Sequence, residues 1–196
     1  KEEFDLTLGV GKGMGKAIKT SGEIDHINDC VLQRTLRREI SCTGVGLHSG
    51  AQVTLRLMPA SVDTGIVFER TDLFDLDPVV PAVWDRVVDT RLCTVIGNDD
   101  GVTVGTIEHL LAALAGCGVD NAYVELNGPE VPIMDGSSEP FVSLIGCAGV
   151  VELLAPRRVI RVLKAVNVKI EDSRAALLPA AWPKLDVEID FENTVV

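Results

Sequence analysis

The sequence predicts an α+β fold, a two-layer sandwich with a sheet on one side and helices on one of its faces. Three observations lead there. Residues 51–59, AQVTLRLMP, alternate: Val53, Leu55 and Leu57 share one face, Thr54 and Arg56 the other, as in a half-buried strand. Residues 106–118, TIEHLLAALAGCG, carry leucines at helical spacing instead. Strands come first, followed by helix, strand and helix, rather than the regular alternation of a doubly wound sheet.

Taken in order, residues 1–30 read as a flexible extension. Their GVGKGMGK run invites a phosphate-loop reading, but the spacing fails: Leu6 and Val10 stand where the required glycine should be. QRTLRREISCTG (33–44) is extended, and GVGLHSG (44–50) is a glycine-rich turn before the alternating strand. GIVFER, VVPAVW and TRLCTVIG are further strands, and NDDG (98–101) is a turn. After the leucine-striped helix, DNAYVELN alternates as a strand, GPEVPIMDGSS is a loop, and SEPFVSLIGCAG is a second, shorter helix. A boundary falls at GCAGVVELLAPRR, and two strands, RVIRVLKAVNVKI and KLDVEIDF, then open a second domain. The domain reading is therefore 1–30 extension, 31–155 sandwich domain, and 156–196 first strands of a truncated second domain.

Composition narrows the function classes. Of 196 residues, 46% are hydrophobic and only 4% aromatic, enough for a real core of aliphatic character. The net charge of −11 argues against non-specific nucleic-acid binding, which needs cations to neutralise phosphates. No apolar run reaches the length of a membrane span, and the first residues lack the apolar core of a secretory signal. Five cysteines, none in a C-x-x-C pair, read as reduced thiols, so a cytoplasmic, soluble protein is expected.

The chemistry concentrates in the first turn of the 106–116 helix, where Glu108 and His109 are adjacent. Thr106 is the expected N-cap. Ile107, Leu110, Leu111 and Leu114 form the core stripe, which leaves His109 pointing away from the core beside Ala112, Ala113 and Gly116. An acid in a first turn is stabilised by the helix dipole, which accounts for Glu108 without any catalysis. A histidine on a small-residue face is accounted for by solvent or by a neighbouring domain. The metal reading is chemically coherent as well: imidazole is a zinc ligand, and a neighbouring carboxylate serves as base. A catalytic zinc needs three protein ligands, whereas the other histidines are His26 and His48, and no H-E-x-x-H spacing occurs.

TGVGLHSG, DTRLCT, TIEHLLAALAGCGVDNAYVELNGPEVPIMDGSSEPF and VEIDF, in this order, resemble the UDP-3-O-acyl-N-acetylglucosamine deacetylase (LpxC) family from about Gln33 onward. The resemblance implies a zinc-dependent amidohydrolase of lipid A biosynthesis in Gram-negative bacteria, acting on a UDP-sugar lipid precursor. It implies two similar βααβ-type sandwich domains with the active site between them. It gives Glu108 the role of general base and His109 that of one Zn2+ ligand. In the family's reaction the metal polarises the N-acetyl carbonyl, the base takes a proton from water, and acetate and a free amine leave. DTRLC matches a stretch that lines the zinc pocket, so Leu92 and Cys93 are candidate substrate-binding residues; many members carry Met where this chain has Arg91. His48 and Asp135 match recurring motif positions and join them as candidates, against plainer roles as a turn residue and an Asx-type loop stabiliser.

One departure bears on activity. The family draws its other two zinc ligands from an H-K-x-x-D motif and its general acid from a later histidine, both in the second domain. No histidine follows His109 here. The expectation is a chain that needs the missing C-terminal domain, binds zinc poorly by itself and lacks turnover. A non-catalytic binding or scaffolding domain that keeps the fold without the metal is the rival, and a missing half supplied by a separate chain is a third reading.

Overall fold

The structure, a computed structural model, describes residues 31–182 and 184–188. The extension expected over residues 1–30 lies outside the described residues, as does the end of the strand expected from Lys184. The chain divides into two compact units with the boundary between Arg157 and Arg158.

The first unit is built on a five-stranded sheet. Its strands are β2 (Ile40–Val45), β3 (Gln52–Pro59), β4 (Ile66–Arg70), β5 (Val79–Pro81) and β9 (Ala122–Leu126), in the spatial order β2-β3-β9-β4-β5. All neighbours are antiparallel except β4 and β9. The alternation read from the sequence sets the register: Leu57 lies opposite Val124 and Leu55 opposite Leu126, and these four side chains, with Val53, are fully buried. Two helices, α1 (Glu108–Gly116) and α2 (Glu139–Ala148), cover that face. Leu110, Leu114, Phe141 and Ile145 join the buried strand residues in one core. The two-layer α+β sandwich expected from the sequence is what forms.

Three further strands make a small sheet beside it: β6 (Val87–Asp89), β7 (Val95–Gly97) and β8 (Thr103–Val104). A 3-10 turn over Trp84–Arg86 leads into β6, where the sequence suggested that the strand begun at Val79 ran on. The NDDG turn forms as expected, because the Asn98 side-chain oxygen accepts from the Asp100 and Val102 N–H groups. Helix α2 ends at Gly149, whose φ of 74° is a conformation glycine adopts without a Cβ clash.

The unit is closed by β1 (Leu32–Leu36) pairing antiparallel with β10 (Val150–Pro156). The VVELL run, to which the sequence assigns no element, is the strand that pairs with the start of the domain. A buried polar network reinforces this closure. The Thr35 hydroxyl donates to the Asn121 carbonyl and accepts from the Ala60 N–H, while the Asn121 amide donates to the Gln33 side chain.

In the second unit, β11 (Val166–Ile170) and β12 (Ser173–Leu177) form a hairpin. The first strand was expected, over a longer span; the second was not, because SRAAL has little strand patterning. Residues 184–188, expected to begin a strand, are not in one.

Candidate active site

Two backbone segments meet at the start of α1. The Gly105 N–H donates to the Pro129 carbonyl at 2.9 Å, and the Val131 N–H donates back to the Gly105 carbonyl at 3.0 Å. This exchange fixes the path of the chain just before the helix. Thr106 then turns through a left-handed φ of 55°, unusual for a β-branched residue, and the cap position falls on Ile107. The expectation that Thr106 caps α1 is thus corrected. The left-handed turn carries its hydroxyl away from the first-turn N–H groups, and the buried oxygen has no hydrogen-bond partner.

Glu108, the first residue of α1, is exposed, and its Oε1 accepts a very short hydrogen bond from the Thr94 N–H. That contact brings the DTRLCT segment against the helix. His109 departs from the sequence reading: it is buried, with 8% of its surface exposed. The helical wheel found the leucine face but could not see that α2 lies along the neighbouring flank. His109 and Ala113, one turn apart, both lie buried on α1; Ala112 and Gly116 remain exposed. The Phe141 ring of α2 meets the imidazole edge-on.

The imidazole orientation carries chemical information. Nε2 lies 2.9 Å from the Pro132 carbonyl oxygen. A carbonyl only accepts, so Nε2 carries the proton and Nδ1 holds the lone pair that could bind a metal. The Asp135 carboxyl is held below the usual range first by the Ser137 N–H and then by the Ser137 hydroxyl. Its hydrogen bond to the N–H two residues on, at 2.9 Å, is that of an Asx turn, so the loop-stabilising role is present in the geometry.

A cavity of about 590 Å3 has His48, Leu92, Cys93, Gly105 and Glu130 in its wall. Three of the sequence-derived candidates, His48, Leu92 and Cys93, therefore share one space; Leu92 stands at its rim, 85% exposed. Glu108, His109 and Asp135 lie outside that wall. Arg91 and Asp89 also line the cavity and form a two-pronged ion pair. The Arg91 guanidinium and N–H hold the Asp89 carboxyl down at about 2.

Four participants were not found from sequence. Phe141 and Pro132 act on His109, and Thr94 acts on Glu108 through its backbone. The fourth, Glu130, is buried with 5% exposure. Its one available signal was an acid between two apolar residues in the Pro-Glu-Val run. Among the described residues, no group of three or more His, Cys, Asp or Glu side chains is arranged to hold a metal ion. No helix among them is long and apolar enough to cross a membrane.

Comparison with known proteins agrees with this arrangement of motifs. Residues 33–196 match the family model described as UDP-3-O-acyl N-acetylglycosamine deacetylase. A relative from Myxococcus xanthus, named UDP-3-O-acyl-N-acetylglucosamine deacetylase, is 56% identical over 165 residues, covering 84% of this chain and 52% of its own length. Relatives of the same name from Pseudomonas entomophila and Idiomarina loihiensis are 54% and 51% identical, each over 85% of this chain and 54% of their own. The chain thus spans about half the length of the curated relatives it matches. With the family model covering most of its length, this chain belongs to the LpxC family of UDP-3-O-acyl N-acetylglycosamine deacetylases.

Proposed function

We propose that the chain contributes the base-bearing half of a zinc-dependent active site that deacetylates UDP-3-O-acyl-N-acetylglucosamine in lipid A biosynthesis. One observation carries the reading: two adjacent residues have opposite environments suited to different tasks. His109 is buried and fixed through Nε2, leaving Nδ1 as a metal-binding nitrogen. Glu108 is exposed, with one oxygen pinned by the N–H of Thr94, whose neighbours Cys93 and Val95 line the cavity, and the other available to take a proton from water.

The fit to zinc is incomplete. Bound zinc supplies Lewis acidity towards a carbonyl oxygen, but a catalytic ion needs about three protein ligands. The described residues offer His109 without two companions. We assign the remaining ligands to the family's H-K-x-x-D motif, which the described residues do not contain, and expect the chain alone to lack turnover. Cys93, Leu92 and His48 belong to the cavity wall that receives part of the substrate. The cysteines among the described residues are free thiols, in keeping with the cytoplasm as the place of action.

Zinc analysis of the purified chain tests the incomplete site. Well under one ion per chain is expected, and stoichiometric zinc would overturn the assignment. Adding a separately produced C-terminal half should restore deacetylation that disappears with Glu108→Gln. Turnover indifferent to Glu108 would remove the base, and neither zinc nor turnover in the mixture would favour the non-catalytic binding domain.

A further inference from the structure

Glu130 is used by neither the base nor the metal ligand, yet it is a carboxylate with only 5% exposure in the cavity wall. Burying such a group is costly unless its oxygens are satisfied. Here Oε1 accepts from the His48 N–H at 3.0 Å and Oε2 from the Ser49 N–H at 3.1 Å. The side chain therefore grips two successive amides of the glycine-rich turn. Gly46 allows the approach: a Cβ there would lie 2.6 Å from the Glu130 Cγ, closer than real contacts permit. The Glu130 backbone meanwhile bridges to Gly105, the residue before the strained Thr106 that leads into α1.

We propose that Glu130 is a positioning residue of the candidate site: its carboxylate seats the His48 turn on the cavity wall while its backbone is tied to the strand leading to Glu108 and His109. Two separate parts of the site, 60 residues apart from His48 to Glu108 in sequence, are thereby held to one common point. The proposal rests on the deacetylase reading for the use made of the cavity, but the seating of the turn stands independently of it.

The two parts call for two measurements. Amide hydrogen exchange on this chain compares the wild type with Glu130→Gln, Glu130→Ala and Glu130→Asp. An amide side chain presents one acceptor and one donor to a pair of N–H groups, so Gln satisfies only one of them. Protection of the His48 and Ser49 amides should fall about tenfold or more in Gln and Ala, while the β3 and β9 amides keep theirs. Unchanged exchange at His48 and Ser49 would overturn the proposal, and so would a uniform loss across β3 and β9, which would mark a general structural role.

Steady-state kinetics on the intact protein with both halves, with UDP-3-O-acyl-N-acetylglucosamine as substrate, supply the second readout. Glu130→Gln should lower kcat/KM by about tenfold or more, chiefly through KM, with partial rescue by Asp. Equal loss in all three variants, tracking their melting temperatures, would overturn positioning in favour of plain stability. Wild-type protein without turnover would instead overturn the deacetylase reading, and the exchange result would then decide the seating of the turn.

Discussion

His109 and Phe141 are locked edge to face across the two helices, with ring centroids 5.0 Å apart and planes at 77°. The aromatic ring is fully buried, so it is at once a core residue and the wall that sets the imidazole's orientation. Phe141→Ala should cost about 3–5 kcal/mol, read by urea denaturation, since it leaves a cavity as well as losing transfer free energy. A loss under about 1 kcal/mol would mean that the helices close over the gap and that the ring does not brace His109.

The Pro132 carbonyl dictates the imidazole tautomer. Long-range proton–nitrogen NMR at a pH where His109 is neutral should show Nε2 protonated and Nδ1 bare. The opposite pattern would move the metal-binding nitrogen to the other side of the ring and undo the assignment of the ligand atom.

Glu108→Gln separates chemistry from structure. The glutamine carbonyl can still accept from the Thr94 N–H, so folding stability should stay within about 0.5 kcal/mol of wild type. Deacetylation in the presence of the C-terminal half should nevertheless fall by about 10²–10⁴-fold, as removal of a positioned general base does. Retained turnover with unchanged stability would leave Glu108 a simple helix-start acid.

Thr106→Gly should stabilise the chain by about 1 kcal/mol, because it removes a left-handed β-branched residue and a buried hydroxyl without a partner. The lost methyl burial and the added freedom of the unfolded chain work against this gain but are smaller together than the two penalties. Chemical denaturation gives the answer, and a destabilised variant would show that the Thr106 conformation is not strained.

The acid side of the stability profile should report Asp89. Its folded-state pKa lies below the unfolded value, so its stabilisation is present above pH about 4 and is lost as pH falls towards about 2. Asp89→Asn should flatten the dependence of unfolding on pH within that window, by lowering stability at neutral pH while leaving it nearly unchanged below pH about 2. The pair is exposed, so added salt should shrink the effect. A window unaltered by the substitution would mean that Arg91 swings free in solution.

Much of the fold was legible because it depends on local patterning. Val53, Leu55 and Leu57 alternate, and burial of one face forces that alternation into a definite register. The β1–β10 pair was not legible, since nothing in VVELL names a partner more than a hundred residues away. The site divides the same way. Glu108 and His109 stood out as residue types at a helix start, but the burial of His109 depends on α2, which no wheel drawn on α1 contains. Glu130 and Phe141 were missed for a related reason. Their importance lies in what they touch, His48 and His109, rather than in their own surroundings along the chain.

The pairing of β1 with β10 also decides how this unit answers a mechanical load. Leu32 lies opposite Pro156 at the outer end of the ladder, and Leu36 lies opposite Val150 at the inner end. Tension applied at residues 31 and 157 therefore falls on one rung after another, as in opening a zipper, instead of shearing all rungs together. The two strands should peel away at low force while β3 and β9, behind them, remain paired. Pulling or threading by an unfolding machine would then undo the polar knot of Gln33, Thr35 and Asn121 first and reach the His109 helix only afterwards.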